Sequence, residues 1–279
     1  VLADTIRIEG NSAIESDALG EGDGGHIILT ARESFRLDNA FIEAETKGSG
    51  LGGLIQIQAP DIILGQDSEI NISALSGTGD AGELTITGST LTLDRNVIAT
   101  ETLTAGNAGH VSLSADTINS TNATIEGETL GAGEGADITL SASSLGGTLI
   151  NSSTEGSGVG GFIRFSADSI VVENGSAIES DSLDAGHGGH IILNANNSFR
   201  LSGAIVEAET KGSGLGGLID IQAPDIILGQ DGEINISALD GTGDAGELTI
   251  TGTTLTLDRN VIATETLTAG NAGHVTLTA

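Results

Sequence analysis

The chain repeats itself on two length scales, and this restricts its fold more than any other feature. Residues 43–115 recur as residues 207–279 with six differences in 73 positions, an offset of 164. Inside that period a shorter motif, Gly-x-apolar-x-apolar-x-Ala, returns in ten strict or looser versions. Its first strict form is Gly25-His26-Ile27-Ile28-Leu29-Thr30-Ala31. The position of His26 is taken in turn by Leu54, Glu83, His110, Asp137, Phe162, His190, Leu218, Glu247 and His274. The steps are 28, 29, 27, 27, 25, 28, 28, 29 and 27 residues, and six of them make one long period. A period in this range signals a solenoid, in which each unit buries its apolar face only against its neighbours. One continuous domain over 1–279 is expected, with 1–115 and 165–279 as copies of a six-coil super-repeat.

Composition narrows the chemistry. There are 43 Gly, two Pro, and no Trp, Tyr, Met or Cys. The core must therefore be built from Ile, Leu, Val and Ala, and disulfides and thiol–zinc sites are excluded. The formal charge of −30, from 39 acidic and nine basic residues, repels phosphate backbones and anionic lipid. Nucleic acid is not an expected partner. No run approaches the ~18 apolar residues of a membrane span, so membrane insertion is not expected either. Disorder is rejected because 38% of residues are hydrophobic and strictly patterned. The sequence opens at Val1 and closes at Ala279 in mid-pattern, which is read as an internal piece of something longer.

A single unit resolves into three short strands and a loop. In His26–Ala31, the residues Ile27, Leu29 and Ala31 alternate with His26, Ile28 and Thr30, the period-two signature of a strand. Phe35 and Leu37 share a second face, and Ala40, Ile42 and Ala44 a third. Glu45–Gly53, rich in Gly, leads to the next unit. The inward columns run through all ten units. The first is Ile27, Ile55, Leu84, Val111, Ile138, Ile163, Ile191, Ile219, Leu248, Val275. The second is Leu29, Ile57, Ile86, Leu113, Leu140, Phe165, Leu193, Ile221, Ile250, Leu277. A third, small column runs Ala31, Ala59, Gly88, Ala115, Ala142, Ala167, Ala195, Ala223, Gly252, Ala279. Three strands per turn of 25–29 residues describe an all-β, three-sided parallel β-helix of about ten coils. At ~4.8 Å per coil the rod is on the order of 50 Å long.

Gly-Gly-x-Ile-x-Leu-x-Ala, with Gly-Ser-Ala-Ile-Glu-Ser at 175–180 and Gly-x-Gly-x-Gly-Gly at 20–25, resembles the repeats of filamentous-haemagglutinin-like exoproteins. These are the large bacterial surface proteins of two-partner secretion, and the resemblance covers essentially the whole chain. It implies a right-handed β-helix at the bacterial cell surface or outside the cell, with an adhesive or fibre-building role.

Candidate sites are weak by comparison. His26, His110, His190 and His274 recur at one coil position every third coil, roughly 14 Å apart at the interstrand spacing, too far to share one metal ion. His187 and His190 form a possible local pair, but the first copy has Asp23 at the former position. The acidic turns carry Glu21, Asp23, Asp80, Glu134 and Asp137. Calcium takes six to eight oxygens from such turns, yet no stretch keeps the nonapeptide calcium-repeat spacing. These carboxylates are read as solubilising, and no metal, cofactor or catalytic residue is assigned. Enzyme motifs are missing, and so are the Trp and Tyr that stack sugars. Thr85 and Thr87 face outward together, but Gln56/Gln58 and Ser112/Ser114 on adjacent coils break any flat threonine array of the ice-binding kind. The expected function is a structural or adhesive extracellular rod of a bacterial surface protein, associating end to end or continuing in a longer chain. A cell-surface or polysaccharide ligand is the expected partner. The alternative is a carbohydrate-binding or polysaccharide-cleaving β-helix.

Overall fold

A computed structural model describes residues 1–141, 144–267 and 269–279. Every regular element among them is a β-strand. The strands form two sheets, one of 15 strands and one of ten, stacked as a parallel β-solenoid of about ten turns. The expected register holds at each of the nine steps: His26 pairs with Leu54, Leu54 with Glu83, Glu83 with His110, and so on to Glu247 with His274. No helix is long and apolar enough to cross a membrane.

The first two sides of each coil are one sheet that bends. His26–Asp38 is a single 13-residue strand, so the small column at Ala31 marks a bend in a strand, where a break was expected. Where Pro60 stands, the strand divides into Leu54–Gln58 and Asp61–Leu64, because proline has no N–H for the ladder. The Pro60 carbonyl compensates by accepting the N–H groups of both Ser89 and Thr90 at 2.9 Å. Coil lengths are reconciled at the same bend. Ala3 pairs with Ala31 but Thr5 with Ser34, and 164 residues on Ala167 pairs with Ala195 but Ser169 with Ser198. One extra residue is thus absorbed as a bulge, and both flanks stay in register.

The third side is a ladder of three-residue strands such as Phe41–Glu43, between Ala13–Glu15 and Glu69–Asn71. It is entered through a left-handed residue in every coil. Asn11, Asn39, Asp67, Arg95, Asn122, Gly147, Gly175, Gly203, Asp231 and Arg259 all have φ between 47° and 79°. Asn, Asp and Gly suit a corner this tight; the two arginines adopt it at a steric cost.

The inward columns are core. Ile55, Ile57, Leu84, Ile86, Ile138 and Leu140 have no solvent exposure, and Phe35, Phe165 and Phe199 are the bulkiest of the fully buried side chains. Burying each Ile or Leu contributes roughly 1.5–3 kcal/mol. Leu277, in the same column, is 43% exposed. Ala142, assigned to the small column, lies outside the described residues.

The Gly-rich segment is a fourth wall, as regular as the strands. A bridge ladder runs along it through Ala18, Thr46, Ala74, Thr102, Thr129, Thr154, Ser182, Thr210, Ala238 and Thr266. Its threonines are largely buried and satisfy loop carbonyls: Thr129 Oγ1 donates to Gly106 O at 2.8 Å and Thr210 Oγ1 to Gly186 O at 2.8 Å. Glycine is required by the coil-to-coil approach. A Cβ at Gly79 would lie 1.8 Å from the carbonyl oxygen of Gly50.

Candidate functional site

Two surfaces of the rod concentrate polar chemistry. The first is a shallow groove between the Gly-rich wall and the first strand. It is lined in turn by His26, Asp80 and Glu134, by Glu134 and His190, and by His190, Asp244 and His274, with glycine backbone between them. The four periodic histidines lie along it, separated by the three coil steps expected. Their nearest aromatic contact is Phe162, whose ring lies 5.5 Å from that of His190 and beneath the Arg164 guanidinium at 5.2 Å. His187 and His190 line the same stretch of this groove. The His187 Nδ1 accepts the backbone N–H of Leu215 at 2.8 Å.

That bond belongs to a ladder that also accounts for the acidic turns. Asp23 Oδ1 accepts the N–H of Leu51 at 2.8 Å, Asp80 Oδ1 that of Asn107 at 2.7 Å, and Asn107 Oδ1 that of Glu134 at 2.9 Å. In the second copy Asp244 Oδ1 takes Asn271 N–H at 2.7 Å. Each side chain caps a backbone donor of the next coil. Asp137 stands apart in a strand, between His110 and Phe162. The carboxylates of Asp23, Asp80 and Asp244 therefore join successive coils.

The second surface is the outward face of the third side, where carboxylates do converge. Side chains at i and i+2 of a strand point the same way, and neighbouring coils bring equivalent positions within interstrand distance. Asp17, Glu43 and Glu45 thereby place one oxygen each within 4.8 Å of one another, and so do Glu179, Asp181 and Glu207. Burial, reinforced by Glu43 and Asp17, pushes Glu45 up to about 7. Burial, with Asp181 and Glu209 close by, pushes Glu207 up to about 8. Glu209 is raised to about 7 by burial and Asp181. Midway along the same face, burial and then Glu101 and Glu128 raise Glu126 to about 7. Crowded carboxylates in a partly dry setting hold protons at pH values where free ones do not.

None of these residues stood out in the sequence. The usable signal was Ile14-Glu15-Ser16-Asp17 against Ile42-Glu43-Ala44-Glu45, acids on the outward positions of one strand in adjacent units, repeated at Glu179, Asp181, Glu207 and Glu209. No family model, curated protein or solved structure matches this chain.

Proposed function

We propose that this chain is a rod segment of an extracellular bacterial surface protein of the filamentous-haemagglutinin-like, two-partner-secretion kind, with a structural or adhesive role and no enzymatic one. The observation that carries the reading is the match between sequence period and structural unit. Residues 164 apart occupy equivalent places six coils apart, down to the bulge at Ala31 and Ala195. Duplication of such a block lengthens a rod without requiring a new kind of interface. The coils stack through backbone ladders on every side, and a solenoid of this sort carries binding surfaces outward or builds a fibre.

Electron microscopy of the purified chain at rising concentration tests this: thin filaments should appear, with an axial repeat near six coils, roughly 29 Å. Strictly monomeric particles at every concentration would count against the fibre. Saccharide cleavage abolished by a single Asp or Glu substitution would replace the structural reading. The groove favours a second reading, in which an extended polysaccharide lies along the histidine column. Retention of the chain on a polysaccharide column, lost on His110→Ala with His190→Ala, would support it.

A further inference from the structure

We propose that the Gly-rich wall is an interface at which two copies of this chain lie side by side and antiparallel. The proposal does not rest on the adhesive reading. The bridge ladder of that wall runs from Ala18 to Thr266, and the residue after each rung is exposed or half-buried in every coil. Backbone bonds stack these residues in file: Leu75 N–H reaches Thr46 O at 2.9 Å and Leu183 N–H reaches Thr154 O at 2.8 Å. Leucine holds seven of the ten positions. Leu19, Leu103, Leu130, Leu183 and Leu267 are between 39% and 76% exposed. A file of exposed leucines along one face of a rod marks a contact surface.

Charge names the occupant and its direction. The other three positions are Lys47, Glu155 and Lys211, all exposed. Lys47 and Lys211 are the two lysines of the chain. None of the three enters an ion pair among the described residues. Along the ladder Glu155 stands four coils after Lys47 and two before Lys211. Leu103 is thus midway between Lys47 and Glu155, and Leu183 midway between Glu155 and Lys211. A two-fold axis at Leu103 sets Lys47 against Glu155 of the second copy, Leu75 against Leu130, Leu19 against Leu183 and Leu103 against itself. An axis at Leu183 sets Glu155 against Lys211, Leu130 against Leu239 and Leu103 against Leu267. Either axis leaves no charge facing leucine over the seven coils that overlap. Parallel copies in register oppose Lys47 to Lys47 and Glu155 to Glu155. Antiparallel copies in full overlap put Lys47 against Leu239 and Glu155 against Leu130. Like charges face to face and charges set against leucine both select against those arrangements. The acids two residues before the file hold back from it, since Glu45, Asp181 and Glu209 are at most 7% exposed. Seven coils at ~4.8 Å make a contact on the order of 30 Å long and about one side chain wide, below the ~1,200 Å² of a standard interface. One pair of these chains therefore associates weakly, and longer rods of the same period add leucine contacts and Lys–Glu pairs.

The charge of −30 opposes pairing, so the test uses about 0.15 M salt, which screens charges beyond ~8 Å. Sedimentation equilibrium of the 279-residue chain up to about 1 mM should show monomers and dimers. Glu155→Lys should weaken dimerisation at least roughly tenfold, and so should Lys47→Glu with Lys211→Glu. Mixing the two variant chains should restore it as a heterodimer. All three positions are exposed, so the β-sheet circular dichroism of both variants should be unchanged. The native chain has no cysteine, so single cysteines report direction. With a short thiol cross-linker, Leu103→Cys and Leu183→Cys should each couple to their own copy. Leu19→Cys should not, because across the axis at Leu103 its two copies lie six coils, roughly 29 Å, apart along the rod. Monomers at every concentration, dimers undiminished by Glu155→Lys, no recovery on mixing, or Leu19→Cys coupling as readily as Leu103→Cys would each overturn the proposal. If the charge variants do not fold, the cross-linking decides.

Discussion

Ile57 pairs with Ile86 in the next coil, both fully buried, while its neighbour Gln56 pairs with Thr85 on the outside. One residue step separates core from solvent because the side-chain period of a strand is two. Ile57→Asp should bury an unpartnered charge and cost several kcal/mol. Gln56→Asp should stay within about 0.5 kcal/mol, as expected for surface positions. The second copy already carries Asp220 there. Urea denaturation of the two variants measures the difference, and equal damage would show the register to be wrong.

The Gly-rich wall makes a second contrast. Gly79→Ala drives a methyl group into the Gly50 carbonyl and should cost roughly 1–3 kcal/mol or more through overpacking. At Gly22, in the first coil, a methyl group would meet nothing within 4 Å, so Gly22→Ala should be nearly neutral. Similar losses at both positions would mean that glycine acts there through backbone freedom and not through coil approach.

The corner arginines should be replaceable at a gain. Arg95 adopts φ 51° and Arg259 φ 52°. A left-handed conformation costs an L-residue roughly 1–2 kcal/mol, partly offset by the extra unfolded-state freedom of glycine. The Arg95–Asp94 ion pair is exposed and contributes little. Arg95→Gly should therefore raise stability by about 0.5–1 kcal/mol, read as a higher midpoint in chemical denaturation. A loss of stability would show that the guanidinium contributes more than the corner geometry suggests.

The acidic face sets a pH dependence. Burial holds the Glu126 carboxyl at about 7, against 4.5 for the free group. Between those values the folded chain binds more protons than the unfolded one, so stability is greatest at the acid end and falls as pH rises through the window. In chelator, the thermal midpoint should be higher near pH 5 than near pH 8, and Glu126→Gln should shrink the difference by lifting the value near pH 8. A midpoint that instead climbs across this range would show that Glu126 is ionised in the folded chain throughout.

Much of the fold was legible because solenoid repeats impose the same local demand many times. Ile27, Ile55 and Leu84 each say little alone; as a column they specify strand, face and register. The bend at Ala31 was harder to read, since an inward-facing small residue serves a continuing strand as well as a corner. The site was least legible. Glu45 and Glu209 sit in runs that begin like ordinary acidic loops, Glu-Thr-Lys-Gly, and nothing in that string reveals that they are buried.

The sequence by itself determined the solenoid, the number of coils, the inward columns and the six-coil period, because these follow from spacing along the chain. Only the tertiary structure decided that the glycine segment is a stacked wall, that Asp23 and Asp80 cap the next coil, and that Asp17 meets Glu43 and Glu45. Those relations join residues on successive coils, such as Asp23 and Leu51, 28 positions apart, and depend on how the backbone closes each turn. Spacing fixes which residues share a column; the closure of the coil fixes which columns touch.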